Sequence, residues 1–238
     1  MKTFDITKHK TVMINILMDI YKETSLSAVL GFKGGTAAML FYGLPRFSVD
    51  LDFDLVKPDP NKSGEVKKIF EKLSTFLSKK YKITDQCLKY NTLFWAISYG
   101  ANLSHIKIEV STRDSSFNRY QVIPFYGVSL KVMVVEDMIA HKLMTVITRK
   151  SLANRDLFDI HYFLSSPYST EINYDLIKKE TGDSPKVFLT RLLEYISTIN
   201  PNTVLSGLGE VLTESQKIWA KTKLMIELQG LIQRQIDL

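Results

Sequence analysis

Aspartates recur at alternate positions in the stretch Phe47-Ser-Val-Asp-Leu-Asp-Phe-Asp-Leu55. Successive side chains of a strand point to opposite faces, so Ser48, Asp50, Asp52 and Asp54 share one face. Val49, Leu51, Phe53 and Leu55 take the other and can enter a core. Asp50 and Asp52 would lie about 6.6 Å apart along such a strand, close enough to converge on one hard cation. Without a cation two carboxylates repel, by about 4 kcal/mol at 4 Å and an effective dielectric of 20. The pair therefore implies a metal. Asp54, at the exit of the strand, is expected to be solvated.

Upstream lies Lys33-Gly34-Gly35-Thr36, and downstream an acid, Glu109, on the polar side of His105–Thr112. Nucleotidyl transfer uses each part. Glycines let the backbone approach a triphosphate, and the N–H groups opening the next helix bind its oxygens. Asp50 and Asp52 suit Mg²⁺, an ion that keeps substrate phosphates in its shell. Glu109 could hold a second metal or take a proton from the attacking hydroxyl. A GG turn alone is a tight turn, and a lone DxD a solvated strand end. In this order and spacing the reading is a nucleotide site.

The C-terminal half carries Lys142, Arg149, Arg155, Asp156 and Asp159. Asp156 and Asp159 are spaced i, i+3 and share a helix face. Lys142 lies one turn from Met138 and Ile139, so its charge either emerges into a cleft or meets an acid. In a cleft it could neutralise triphosphate charge; as an ion pair with Asp156 or Asp159 it would join two helices. The two roles can coexist. Arg149 and Arg155 can grip phosphate bidentately. His141 and His161, without a His/Cys cluster, read as packing residues.

The elements that must position these groups follow from periodicity. An amphipathic helix is expected over 8–23, a buried strand over 26–32, a helix over 36–42 ended by Gly43-Leu44-Pro45, and the acidic strand over 47–55. A loop covers 57–64. A helix over 65–82 turns Lys67, Lys68, Lys72, Lys79 and Lys80 outward to solvent. Residues 92–99 and 105–112 form a hairpin about Gly100-Ala101-Asn102, and the second arm could lie beside the acidic strand. A loop with Arg113, Asp114, Arg119 and Pro124 leads to a strand over 128–134. Helices then fill 136–149, 154–164, 187–199 (started by Asp183-Ser184-Pro185) and 214–236. The class is α+β: a mixed sheet with flanking helices over 1–134, then a helical part over 135–238 that contributes to the cleft.

The chain has 238 residues, 31 basic and 25 acidic, for a net charge of +6 and a pI near 9.2. That balance permits an anionic partner such as RNA or a nucleotide. Cys87 is the only cysteine, which excludes an intrachain disulfide and suits a reducing compartment. The N-terminus lacks a signal-peptide core, and no run approaches the roughly 20 apolar residues of a membrane span. The expected place is the cytoplasm, with no membrane partner.

The run KGGTAAMLFYGLPRFSVDLDFDL resembles the first motif of the AbiEii/AbiGii-type (MenT-like) nucleotidyltransferase toxins, a branch of the polymerase-beta-like nucleotidyltransferase superfamily. Gly34, Gly35 and Thr36 match the turn, Thr36 standing where serine is common. Arg46 through Phe53 match the branch's own form of the strand. Lys142 and the following Arg155-Asp156-Leu157-Phe158-Asp159 resemble its downstream Lys…RDxxD signature. The resemblance covers roughly residues 26–165. It implies a nucleotidyltransferase-like fold and catalytic residues Asp50, Asp52, Glu109 and Lys142, with Asp156 or Asp159. Lys33, Gly34, Gly35, Thr36, Arg46, Ser48, Lys142, Arg149 and Arg155 would bind nucleotide, and Asp50, Asp52 and Glu109 would bind Mg²⁺ or Mn²⁺. It further implies an NTP substrate, release of pyrophosphate, an acceptor hydroxyl such as the tRNA 3′ end, a cognate antitoxin and a place in abortive infection. A nucleotide- or RNA-binding module without transfer, and an antibiotic-type enzyme with a small-molecule acceptor, are the alternatives.

Overall fold

The computed structural model describes residues 5–56, 63–101 and 103–238. Two compact units emerge. One runs to Phe41 and resumes over Ser48–Met133; the other comprises Tyr42–Phe47 and Val134–Leu238. The sequence reading kept residues 42–47 with the N-terminal part, whereas they pack with the helical unit.

The first unit is built on seven strands: β1 (Leu30–Lys33), β2 (Leu51–Leu55), β3 (Lys82–Lys89), β4 (Thr92–Ser98), β5 (His105–Ser111), β6 (Tyr120–Phe125) and β7 (Val128–Met133). Their order is β3-β4-β5-β2-β1-β7-β6. The β2–β5 and β1–β7 pairs are parallel and the others antiparallel, so the sheet is mixed. Leu30, Phe32, Leu51, Phe53, Trp95 and Ile108 form its fully buried face; each such side chain contributes about 1.5–3 kcal/mol. Helix α1 (Ile6–Lys22) buries Met13, Ile16, Leu17 and Ile20, and its Tyr21 ring lies 6.3 Å from that of Phe53. A short α2 (Thr24–Ser27) and α3 (Gly34–Phe41) flank β1. Helix α4 (Ser63–Ser78) stacks Phe70 on Trp95 at 5.0 Å, and Ser74 accepts the indole N–H at 2.9 Å.

Several boundaries differ from those read in the sequence. The acidic strand starts at Leu51, not at residue 47, because its ladders to β1 and β5 begin only at Asp52 and Leu51, respectively. The helix expected over 65–82 ends at Ser78. Asp19 of α1 accepts from Tyr81 at 2.7 Å and pairs with Lys80 at 3.0 Å, which turns the chain into β3. Part of the loop expected after residue 112 is β6, and Pro124 fits there because β6 is an edge strand. The expected loop over 57–64 lies outside the described residues up to 62, as does Asn102 of the hairpin turn; the hairpin itself is β4–β5.

The second unit is helical: α5 (Val135–Thr148), α6 (Asn154–Ser165), α7 (Tyr174–Thr181), α8 (Pro185–Ser197), α9 (Glu214–Trp219), a π-helical turn over Ala220–Leu224, and α10 (Met225–Asp237). Ser184 caps α8 ahead of Pro185, as the sequence implied. Leu143, Leu157, Ile160, Phe188, Leu192 and Leu228 lie in its core. Among the described residues, no helix is long and apolar enough to cross a membrane.

Candidate active site

The strand pairing brings the first unit's predicted residues abreast. Lys33 of β1 pairs with Asp52 of β2, and Asp52 pairs with Glu109 of β5. Paired residues share a face, and neighbouring strands lie about 4.8 Å apart. An ammonium and two carboxylates therefore stand in a row on the face opposite the apolar core. The next residue after Lys33 is Gly34, with φ +77°. A Cβ there would sit 2.8 Å from the Asp52 Cβ and overlap its carboxylate. Gly34 is thus required twice, by backbone conformation and by the close approach of Asp52. Gly35 and Thr36 follow in the first turn of α3, both buried.

Asp50 precedes β2, so the ladder does not position it. Buried groups hold its backbone instead. The Thr36 hydroxyl, fully buried, donates to the Asp50 carbonyl at 2.5 Å. His9 Nε2 lies 2.8 Å from the Val49 carbonyl, and His9 Nδ1 lies 2.9 Å from the Tyr99 hydroxyl. Donation to Val49 requires the Nε2–H form, which leaves Nδ1 to accept from Tyr99. Ser48, also buried, completes the approach to the strand. Sequence reading missed His9 because its partners lie 40 and 90 residues away.

Burial pushes the His9 pKa below 6.5, against the opposing pull of the Val49 carbonyl and the Asp50 charge. His161 in the second unit is pushed the same way by burial, against Glu227; its Nε2 lies 3.0 Å from that carboxylate and its ring 4.7 Å from Trp219. Below 6.5 the unfolded chain binds protons that these folded sites refuse, so stability falls as pH drops from 6.5 toward the folded values. Urea midpoints at about pH 7.5 and about pH 5.5 should show that fall, and His161→Gln should reduce it.

Asp54 is not solvated. It is 2% exposed, and Lys33 Nζ pairs with its Oδ1 at 2.5 Å. Asn118 Nδ2 and the Tyr120 hydroxyl donate to Oδ2 at 2.9 and 2.7 Å. The opposing residue on β1 is Gly31. A side chain there would collide with the Tyr120 ring, since a Cβ would lie 2.7 Å from its Cδ1.

The second unit gathers its own charges. Arg46 grips Asp159 through two bonds, Nε–Oδ1 at 2.5 Å and Nη2–Oδ2 at 2.7 Å. Lys142 of α5 reaches Asp159 at 2.7 Å and Asp156 at 3.5 Å, and Arg149 holds Asp156 at 2.7 Å. The pairing of Lys142 with the α6 aspartates is thus present, with both acids rather than one. Asp159 is fully buried. Burial alone would raise its pKa, but the Lys142 and Arg46 charges and hydrogen bonds outweigh that and hold it below 3.8. Arg149 ends α5 with its side chain 41% exposed, and Arg155 is half-buried in the first turn of α6.

Among the described residues, no group of three or more His, Cys, Asp or Glu side chains is gathered closely enough to hold a metal ion. The residues present nonetheless fit a hard divalent ion. Mg²⁺ needs only one or two carboxylates when water and substrate phosphates complete its shell. Asp52 and Glu109 in register, with Asp50 two residues before Asp52, offer oxygen donors of that kind.

The chain matches the nucleotidyl transferase AbiEii toxin family of type IV toxin–antitoxin systems over residues 16–228. No curated protein matches it. Two crystal structures share its fold. One is of an H. pylori protein provisionally assigned as a nucleotidyltransferase, 21% identical, covering 96% of this chain and 93% of that one at a TM-score of 0.60. The other is JHP933 from Helicobacter pylori, 20% identical, covering 98% and 92% at 0.61. Because the family match runs through both compact units, this chain belongs to the AbiEii nucleotidyltransferases, the toxin enzymes of type IV toxin–antitoxin systems.

Proposed function

We propose that the protein transfers a nucleoside monophosphate from an NTP to a hydroxyl at the 3′ end of an RNA, with tRNA the first candidate, and that Mg²⁺ or Mn²⁺ enters with the nucleotide. The observation that carries this reading is the row Lys33–Asp52–Glu109 beside the Gly34 turn. The N–H groups opening α3 and the Lys33 ammonium bind triphosphate oxygens. Asp50 and Asp52 hold the ion, with Glu109 beside them. A divalent ion bound there supplies charge neutralisation for the triphosphate. The acceptor oxygen forms a bond to the α-phosphorus and the bond to pyrophosphate breaks. Glu109 takes the acceptor's proton. The basic balance of the chain suits a polyanionic acceptor.

Of the two acids on α6, we assign Asp156 to the reaction together with Lys142. Asp159 is spent on Arg46, whereas Asp156 shares its carboxylate with Arg149, a side chain that can exchange partners with phosphate. The family's antitoxin is the protein partner, and the cytoplasm, where NTP and RNA abound, is the assigned place of action.

The test incubates the full chain with Mg²⁺, each labelled NTP in turn and total tRNA. Label should enter the RNA 3′ end with at least one NTP and disappear with EDTA. Transfer to a small-molecule hydroxyl with none to RNA would replace the RNA acceptor. Tight NTP binding with no pyrophosphate release in the presence of tRNA would leave a binding module. Mass spectrometry of tRNA from cells expressing the protein identifies the added nucleotide.

A further inference from the structure

Alternation along β2 puts Asp54 on the same face as Asp52, where a metal carboxylate could stand. We infer instead that Asp54 is a positioning residue, which fixes the Lys33 ammonium against the nucleotide's phosphates. The inference rests on the nucleotide site proposed above and adds to it a group with a separate task.

Asp54 has three donors: Lys33 on Oδ1, Asn118 and Tyr120 on Oδ2. They fill most of a carboxylate's acceptor capacity, and the residue is 2% exposed. A carboxylate so enclosed is a poor metal ligand and a good anchor. Its anchor is itself built in. Gly31 opposite Asp54 leaves room for the Tyr120 ring, and Ser115 ties the loop before Tyr120 to the Leu55 carbonyl at 3.1 Å.

Lys33, in contrast, keeps 27% of its side chain exposed. An ammonium has three donors, and the bond to Asp54 uses one. The residue is in register with Asp52 and immediately precedes the Gly34 turn. A lysine with four free torsions would lose rotamer entropy on meeting a phosphate. Held by Asp54, it has lost that freedom before the nucleotide arrives, which is preorganisation. The phosphates then meet a fixed cation in register with Asp52.

The test is a double-mutant cycle on the full chain, measuring kcat and KM for the productive NTP with total tRNA as acceptor and Mg²⁺ present. Asp54→Asn should raise the NTP KM by about tenfold with kcat within about threefold, and Lys33→Met should raise it at least as much. Adding Asp54→Asn to Lys33→Met should change nothing further. Tyr120→Phe keeps the ring over Gly31, removes one donor to Asp54, and should give a smaller KM rise that also vanishes without Lys33. It serves if Asp54→Asn does not fold. Equal effects of these changes with and without Lys33, or a lowered melting temperature with unchanged KM, would overturn the inference. Asp52→Ala separates this result from the parent reading. If it leaves transfer intact the nucleotide site itself is wrong, whereas if it abolishes transfer while Lys33 and Asp54 act additively, only the positioning role falls.

Discussion

Asp52→Asn is expected to lower nucleotidyl transfer by about 10³-fold or more while the protein stays folded. Asparagine keeps the shape of the side chain that lies over Gly34, so the turn and the ladders to β1 and β5 persist. What it removes is the negative charge in register with both Lys33 and Glu109. A neutral amide is a weak ligand for a hard divalent ion, and charge matched to the transition state is the largest single contribution in this kind of chemistry. Initial rates of label incorporation, with thermal melts of both proteins, check the expectation. A variant that keeps transfer within about tenfold of the parent would remove Asp52 from the metal.

The second large effect is on stability. Asp159→Asn should cost about 3–5 kcal/mol, because it removes the counter-charge shared by the buried Arg46 and the part-buried Lys142. For a protein of this size that is a fall of about 10 °C in melting temperature. The bidentate geometry is specific to guanidinium, so Arg46→Lys should also destabilise, though less. Arg46→Met combined with Asp159→Leu removes the Arg46–Asp159 pair and should recover part of the loss, the remainder coming from Lys142, which is left with Asp156 at 3.5 Å. Melting curves of the three variants decide it. A small loss in Asp159→Asn would mean that Asp156 alone can neutralise Lys142.

The parts of this architecture that could be read in the sequence are those where local pattern and burial agree. The hairpin of β4 and β5 alternates because one face is core, and the glycine turn before α3 is required by φ. Edge strands carry no such pattern. Lys82–Lys89 is mostly exposed, so its residues need not alternate, and Pro124 in β6 argued against a strand that only an edge allows. The partnerships of Asp54 were hidden for a different reason. Its carboxylate looks like the next step of a solvated alternation until Asn118 and Tyr120, 64 and 66 residues on, close over it. Asp52 and Glu109 had the right types on the right faces, but their register depended on strand order, which periodicity does not specify. Arg46 was visible as part of a motif, whereas its grip on Asp159 spans 113 residues.

The segment Tyr42–Phe47 has a consequence for dissecting the toxin genetically. It belongs to the helical unit although the flanking residues on both sides belong to the sheet unit. Arg46 is clasped by Asp159, the Tyr42 carbonyl accepts from Tyr162 at 2.7 Å, the Pro45 carbonyl from Gln216 at 2.5 Å, and the Phe47 N–H reaches the Val211 carbonyl at 3.2 Å. The chain therefore passes between units three times, and no single cut yields two self-sufficient pieces. A gene fragment ending near residue 133 would encode a sheet unit interrupted by six residues that have lost Asp159, Tyr162, Val211 and Gln216, while the complementary fragment would bury Asp159 beside Lys142 with no Arg46. Halves split at that point should regain a folded protein only when supplied together, and nonsense mutations ahead of Asp159 should disarm the toxin as thoroughly as loss of its carboxylates.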